Sequence, residues 1–444
     1  MTPHIDKLSA QGVTFDNAFY AVAICMPSRA TVFTGRYFSD HQVGFTYPYN
    51  RTMPKEEFVD SYPAKLRAVG YRTGFVGKFG VRLQDQRNTA AEHFDFFVHS
   101  RGVWFPKDDE KLMYHFRRDR PKEERTLKKG DAMIRFLETQ PEGQPFCLSI
   151  SFDAVKNDKD HDMYSPHVEI FADTEMWVPE NWVEGENERL PQVVRDYCRG
   201  SRLHKARTST PELYQKLARR FATQGYTVDQ QVGRLVTKLE EMGVLDNAVI
   251  IYTSDNGRFH GSQGLFDKAI LYEESVKAPL IVFDGRKQAD KHRGRRENAM
   301  VSSADFAPTI LSLAGLDVPP SMKGLDLTPV LNANQDMSRW REAVLMENFF
   351  LQEIYSAGVK KHPDIPGVND DIVANNRSYR SRGVRTDRYK YFKYFEHNPV
   401  IEELYDLKSD PHEQTNLVSD PEYADVLAEL RDTTDKLYTE ANAK

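Results

Sequence analysis

The sequence is poor in cysteine, in excess positive charge and in long apolar runs. Its 444 residues include three cysteines, Cys25, Cys147 and Cys198, too few for a disulfide framework. No stretch approaches the roughly 18 consecutive apolar residues of a membrane span. Lys and Arg total 60 against 66 Asp and Glu, a formal net charge of −6, which gives no electrostatic reason to expect DNA or RNA as partner. There is no internal repeat and no low-complexity tract. At the start, Met1-Thr2-Pro3-His4-Ile5-Asp6 has neither the basic nor the apolar segment of an export signal. As written the chain is expected to stay in the cytoplasm, and its start has the look of a cut end.

What remains is a globular composition, 40% hydrophobic and 28% charged, which supports a large core and argues against long disorder. The length fits about three domains, or one large α/β domain with a small partner. Strands are predicted over residues 72–77, 146–152, 248–253 and 279–283. The last three are near-continuous apolar runs, the pattern of a sheet buried on both faces. Between two of them Val228, Val232, Leu235, Val236, Leu239 and Met242 recur at helical spacing, with Gly243 as a stop. Residues 304–314 read as a second helix. Residues 94–124 and 156–211 are polar and irregular, as loops walling a site are. The predicted fold class is α/β: a large mixed sheet sandwiched by helices. Composition shifts over 332–341, so domains are placed at 1–335 and 336–444. The second is a small α+β subdomain with strands over 380–385, 389–395 and 403–406 and a closing helix over 422–440.

Three groups of residues could do chemistry. Cys25 stands just before a helix start, where the helix field favours negative charge and tetrahedral oxyanions, with Arg29 one turn on; an inert core thiol is the competing reading. Asp255 and Asn256 follow the 248–253 strand at its carboxyl end, where ligands bind in open α/β sheets, and they offer hard oxygens to Ca²⁺ or Mg²⁺; an ordinary turn reads the same way. Lys78 and Lys268, converging on such a cleft, would bind a dianion, although most lysines are simply solvated.

Taken in order, Cys25-Met26-Pro27-Ser28-Arg29 with Thr34-Gly35, Gly70-Tyr71-Arg72-Thr73 to Gly77-Lys78, Ser254-Asp255-Asn256-Gly257, and Lys268 with Tyr272-Glu273 resemble the signature of the type I sulfatases. Thr2-Pro3-His4-Ile5-Asp6-Lys7-Leu8, Asp305 with Pro308-Thr309, and the tail from Glu403-Leu404-Tyr405-Asp406-Leu407 to Asp410-Pro411 and Asn416-Leu417 extend the match over nearly the whole chain. The resemblance implies the alkaline-phosphatase-like fold and hydrolysis of sulfate esters, of sulfated carbohydrates by expectation. It implies a Cα-formylglycine made from Cys25 by a formylglycine-generating enzyme, whose hydrate attacks sulfur and then collapses to expel sulfate. Asp255 and Asn256 would be metal ligands, for Ca²⁺ with Mg²⁺ as the alternative. Arg29 would hold the formylglycine, Lys78 and Lys268 would neutralise the sulfate, and Pro27 and Ser28 would serve recognition by the modifying enzyme. Family members are exported, to the periplasm or outside the cell.

The sequence departs from the family pattern in places. The family's upstream strand with two Asp metal ligands is not seen before Thr2. Phe79-Gly80 stands where the family has an aromatic residue and His. Lys156 stands where a His often protonates the leaving alcohol, and Lys156, His161 or His167 could replace it at the substrate. Two other functions stay open: a catalytically silent protein that binds a sulfated ligand, and a phosphodiester or phosphonate-ester hydrolase of the same superfamily.

Overall fold

A computed structural model describes residues 1–100, 102–116, 125–156, 165–286, 293–333 and 340–443. The apolar runs form strands almost where their sequence places them: Arg72–Gly77, Phe146–Ser151, Val249–Thr253 and Leu280–Asp284. They are divided between two four-stranded sheets. The first runs Gly102–Phe105, Phe96–His99, Arg72–Gly77, Phe146–Ser151, parallel except for its Gly102–Phe105 edge. The second runs Arg295–Glu297, Val13–Phe15, Leu280–Asp284, Val249–Thr253, with one parallel and two antiparallel pairings.

This corrects one expectation. Phe146–Ser151 and Val249–Thr253 are not buried on both faces; every residue of each is only partly buried. The reason is position, since each closes the edge of its sheet. Leu280–Asp284 has a neighbour on both sides and is buried as predicted.

Helices bind the two sheets together. Arg125–Glu138 packs Ala132, Phe136 and Leu137 on Val76, Phe96 and Val98 of the first sheet, in a cluster that also takes Phe146, Leu148 and Ile250. The helix predicted around Val228–Met242 is the end of a longer one, Pro211–Glu241. Thr210 caps it by accepting from the Leu213 N–H, Pro211 opens it, and Gly243, at φ 67, ends it. Leu239 joins the first sheet's cluster and Val232 packs with Ile5, Leu8, Ile281 and Phe283 on the second, so one helix spans both. Its first half packs Leu217 and Phe221 on Phe266 instead, which hid it from a single amphipathic period. Asp229 accepts from the His4 and Ile5 N–H groups (3.0 and 2.8 Å) and so caps the helix Pro3–Gln11.

The stretches predicted as irregular are more ordered than expected. Residues 94–124 carry Phe96–His99, Gly102–Phe105 and the helix Glu110–His115; residues 156–211 carry the helices Ser165–Val168, Gln192–Tyr197 and Arg199–Arg207. Short helices like these rest on local caps rather than on a period: Cys198 Sγ, for one, accepts from the Gly200 N–H.

The C-terminal sheet is antiparallel, in the order Ala343–Asn348, Ser381–Thr386, Tyr389–Tyr394, Ile401–Asp406. The helix Ala424–Asn442 covers it, with Leu427 and Leu430 on Val384, Tyr391 and Leu404. Its other face grips the segment that follows Lys268. Lys390, fully buried, pairs with Glu273 (2.9 Å) and Glu413 (2.8 Å). The hydroxyls of Tyr272, Tyr394 and Tyr405 all donate to the buried Glu403. The boundary expected near residue 336 lies outside the described residues.

Candidate active site

The site grows from the start of the helix Cys25–Thr34. Ile24 precedes it in extended conformation and gives it no side-chain cap; Gly35, at φ 64, closes it. Cys25, its first residue, is buried, so the thiol sits where unpaired helix N–H groups favour an anion. Lys268 Nζ lies 2.8 Å from Cys25 Sγ and Lys156 Nζ 3.9 Å away. Lys268 is presented by a strained turn, with non-glycine residues on both sides of it at positive φ, Asp267 at 80° and Ala269 at 93°. The Ala269 N–H is tied to Ser275 Oγ (3.0 Å).

These charges decide the state of the thiol. Burial pushes Cys25 up, but Lys268 first, then Lys78 and Lys156, outweigh burial and Asp255 and bring it down to about 6. Burial works unopposed on Cys147, pushed up to about 12, and prevails at Cys198, pushed up to about 11. Burial lowers Lys78 to about 8 against the pull of Cys25. At Lys156 burial is the largest influence, yet the attraction of Cys25 leaves the ammonium favoured.

Arg29 holds the pocket together. Its Nε and Nη2 donate to Asp255 Oδ2 (3.0 and 2.8 Å), while Nη1 donates to the Lys78 carbonyl and to Ser151 Oγ. One guanidinium thus joins the carboxyl ends of three strands, Arg72–Gly77, Phe146–Ser151 and Val249–Thr253. Arg29 and the lysines hold Asp255 far below the ordinary carboxylate range although burial opposes them. Ser28 Oγ donates to the Asp255 carbonyl, so Ser28 has a structural duty here beyond the recognition role implied by resemblance. Gly80, at φ 73, leaves room for the guanidinium stem; a Cβ there would come within 2.7 Å of Arg29 Cδ. Phe79 turns away from the site into an aromatic core with Phe33, Phe58, Phe75, Phe94 and Phe97.

The structure therefore gathers Cys25, Arg29, Lys78, Lys156, Asp255, Asn256 and Lys268. It does not bring in His167, whose Nδ1 lies 2.8 Å from Thr227 Oγ1 and whose ring packs edge-on to Tyr226 on the long helix. His161 lies outside the described residues. Ser151 went unrecognised in the sequence. The strand was predicted to run on to residue 152, which placed Ser151 inside it rather than at the carboxyl end it occupies.

The donor set does not fit a divalent cation. Asp255 Oδ2 is taken by Arg29, Asn256 Oδ1 accepts from Lys268 (2.7 Å) and Asn256 Nδ2 donates to the Gly257 carbonyl (2.6 Å). Among the described residues no group of three or more His, Cys, Asp or Glu could hold a metal. The three side-chain oxygens of Asp255 and Asn256, two of them engaged by cations, fall well short of the six to eight that Ca²⁺ takes.

A family model described as Sulfatase matches residues 1–316, and one described as N-sulphoglucosamine sulphohydrolase, C-terminal, matches residues 371–440. The chain is 28% identical to an N-acetylglucosamine-6-O-sulfatase of Bacteroides thetaiotaomicron, over 98% of this chain and 82% of the relative. It is also 28% identical to the N-sulphoglucosamine sulphohydrolase of Homo sapiens, over 97% and 84%. Among solved structures, a protein in complex with its substrate D-glucosamine-2-N,6-O-disulfate superposes at a TM-score of 0.78, with 24% identity over 99% of this chain and 93% of that one. A phosphonate monoester hydrolase of Agrobacterium radiobacter superposes at 0.76, with 21% identity over 99% and 91%. Such relatives imply a formylglycine and a divalent metal as general family features. Fold, motif order and the gathered pocket agree with these matches: the chain belongs to the sulfatase family, with the alkaline-phosphatase-like α/β fold.

Proposed function

We propose that this protein hydrolyses sulfate esters of carbohydrates at the pocket around Cys25. The observation that carries the reading is a buried Cys25 at a helix start, 2.8 Å from Lys268, with Arg29 locked on Asp255 beneath it. In this reading Cys25 is the precursor of a formylglycine, installed by a formylglycine-generating enzyme, which supplies a hydrated aldehyde as nucleophile. The chain's own groups do the rest. Lys268 and Lys156 face the nucleophile and would neutralise the charge that develops on the sulfuryl oxygens. Lys78 at about 8 can exchange a proton near neutral pH, as a general acid must. Arg29 fixes Asp255 and the strand ends. No step is routed through Ca²⁺ or Mg²⁺, which the donors do not accommodate.

In the same reading the enzyme works in the periplasm or outside the cell, and the division near residue 335 separates the catalytic part from the C-terminal subdomain. Among the described residues no helix is long and apolar enough to cross a membrane. The shortage of metal donors favours one other reading, a silent protein that binds sulfated ligands.

The test is co-expression with a formylglycine-generating enzyme, mass spectrometry of the peptide bearing Cys25, and assay on an aryl sulfate, an aryl phosphodiester and sulfated glucosamines. Sulfate release lost in Cys25→Ala is the expected result. A preference for the phosphodiester would overturn the assignment, and ligand binding without turnover would select the silent reading.

A further inference from the structure

Beside the pocket lies a second group of charges that the reaction described above does not use. Two residues past Asn256, the Arg258 guanidinium lies beside a stacked pair of aromatic rings, 4.9 Å from the Phe266 centroid and 5.5 Å from that of Phe221. Its Nη1 lies 3.1 Å from Asp267 Oδ1. Arg199, at the start of the helix Arg199–Arg207, brings its Nε to 3.7 Å from the other oxygen of the same carboxylate. Arg207, at the far end of that helix, sets its guanidinium 5.5 Å from the Phe266 ring. Asp267 is the residue immediately before Lys268, so the strained turn that presents Lys268 to Cys25 also supplies the carboxylate of this cluster.

The charge of the cluster is not closed. Asp267 offers one carboxylate to two guanidinium groups. Arg258 is only 13% exposed in its side chain, and its Nε is buried with no hydrogen-bond partner. A charge left partly uncompensated in such a place is costly, and an unused N–H costs the desolvation of a polar group. Burial pulls Arg258 down, while Asp267 and then Cys25 oppose it, so cluster and pocket share one electrostatic field. Arg199, 41% exposed in its side chain, opens the cluster to solvent and thus to a ligand. Two guanidinium groups sharing a single carboxylate keep N–H groups that suit planar or tetrahedral oxyanions.

We propose that Arg258 and Arg199 form a second anion subsite, which takes a further sulfate or carboxylate group of a sugar whose first sulfate sits over Cys25. The proposal rests on the sulfated-carbohydrate reading and narrows it to substrates carrying at least two anionic groups.

The test uses the full chain and calorimetric titration with two probes, glucosamine 6-sulfate and glucosamine sulfated at both N2 and O6. The disulfated sugar is expected to bind at least about tenfold tighter, as a charge-assisted contact would make it. Arg199→Ala, a change at a solvent-facing side chain, should reduce that ratio to about two or less. Arg258→Lys should fall between, because it keeps the charge and loses the fork. Equal affinities in the unaltered protein, a ratio that survives Arg199→Ala, or no binding of either sugar would each refute the subsite. Sulfate release from the same two sugars is read separately. Binding preference without release would keep the subsite and count against the catalytic reading; release without preference would do the reverse.

Discussion

Replacing Lys268 by Met removes the cation nearest to Cys25, 2.8 Å from its sulfur, with little change in side-chain volume. The thiol stands at about 6 because Lys268, ahead of Lys78 and Lys156, overcomes burial and Asp255. Without Lys268, burial is the largest remaining influence, so the thiol should return to about 9 or above. At pH 7 the thiolate share then falls from about nine-tenths to about one-hundredth, roughly ninetyfold. The thiolate that remains is more basic and so more nucleophilic; a Brønsted slope of about 0.45 over this range returns about twentyfold. Alkylation at pH 7 should therefore slow only about fivefold, whereas the midpoint of its pH profile should move from about 6 to about 9. The assay is iodoacetamide labelling from pH 4 to 10, read by peptide mass spectrometry on protein made without the modifying enzyme. Cys147 and Cys198 serve as internal controls, since burial pushes them up to about 12 and about 11. An unaltered protein with a midpoint near 8.5, or a Lys268→Met midpoint still near 6, would refute the electrostatic argument.

Two further outcomes are expected. Glu347 is wholly buried, with Oε1 unpartnered and Oε2 accepting from the Ser39 N–H (3.2 Å), and burial pushes it up to about 7. The folded state therefore holds a proton that the unfolded chain gives up near 4.5. Its contribution is complete below about pH 4.5 and is lost as pH rises through 7, up to about 3 kcal/mol; Glu347→Gln should flatten that part of the stability profile in urea titrations at pH 5 and 8, and an unchanged slope would contradict it. For calcium, a single carboxylate already bound by Arg29 predicts no saturable binding tighter than about 1 mM by calorimetry; a tighter isotherm abolished by Asp255→Ala would show that Arg29 yields its partner.

The fold class was legible in the sequence, as were most of the residues that the structure gathers around Cys25, whereas the pairing of the strands was not. Cys25, Arg29, Lys78, Asp255 and Asn256 each follow a short local signal, a helix start or a strand end, Lys268 was reached through its motif with Tyr272-Glu273, and the fold brings them together. Lys156 entered only through a departure from the family pattern, yet it too reaches the thiol. His167 was a poor candidate because a histidine in a loop carries no signal of direction, and Thr227 and Tyr226 claim it. Long-range pairing was beyond reach. Nothing in the run Val249–Thr253 says that it closes a sheet rather than filling its centre, and nothing in Ala343–Asn348 announces the fourth strand of the C-terminal sheet. The Arg258–Asp267 cluster was equally hidden, since its members come from a strand, a turn and a distant helix.

The two edge strands bear on how this protein behaves in solution. Phe146–Ser151 and Val249–Thr253 each end a sheet, and among the described residues neither has a second strand partner. Each is partly buried along its whole length and, among the described residues, has a strand neighbour on one side only. Such a border accepts any extended segment through main-chain bonds alone, before side chains have a say. In solution the two borders are therefore the places where a further extended segment would add to the sheets.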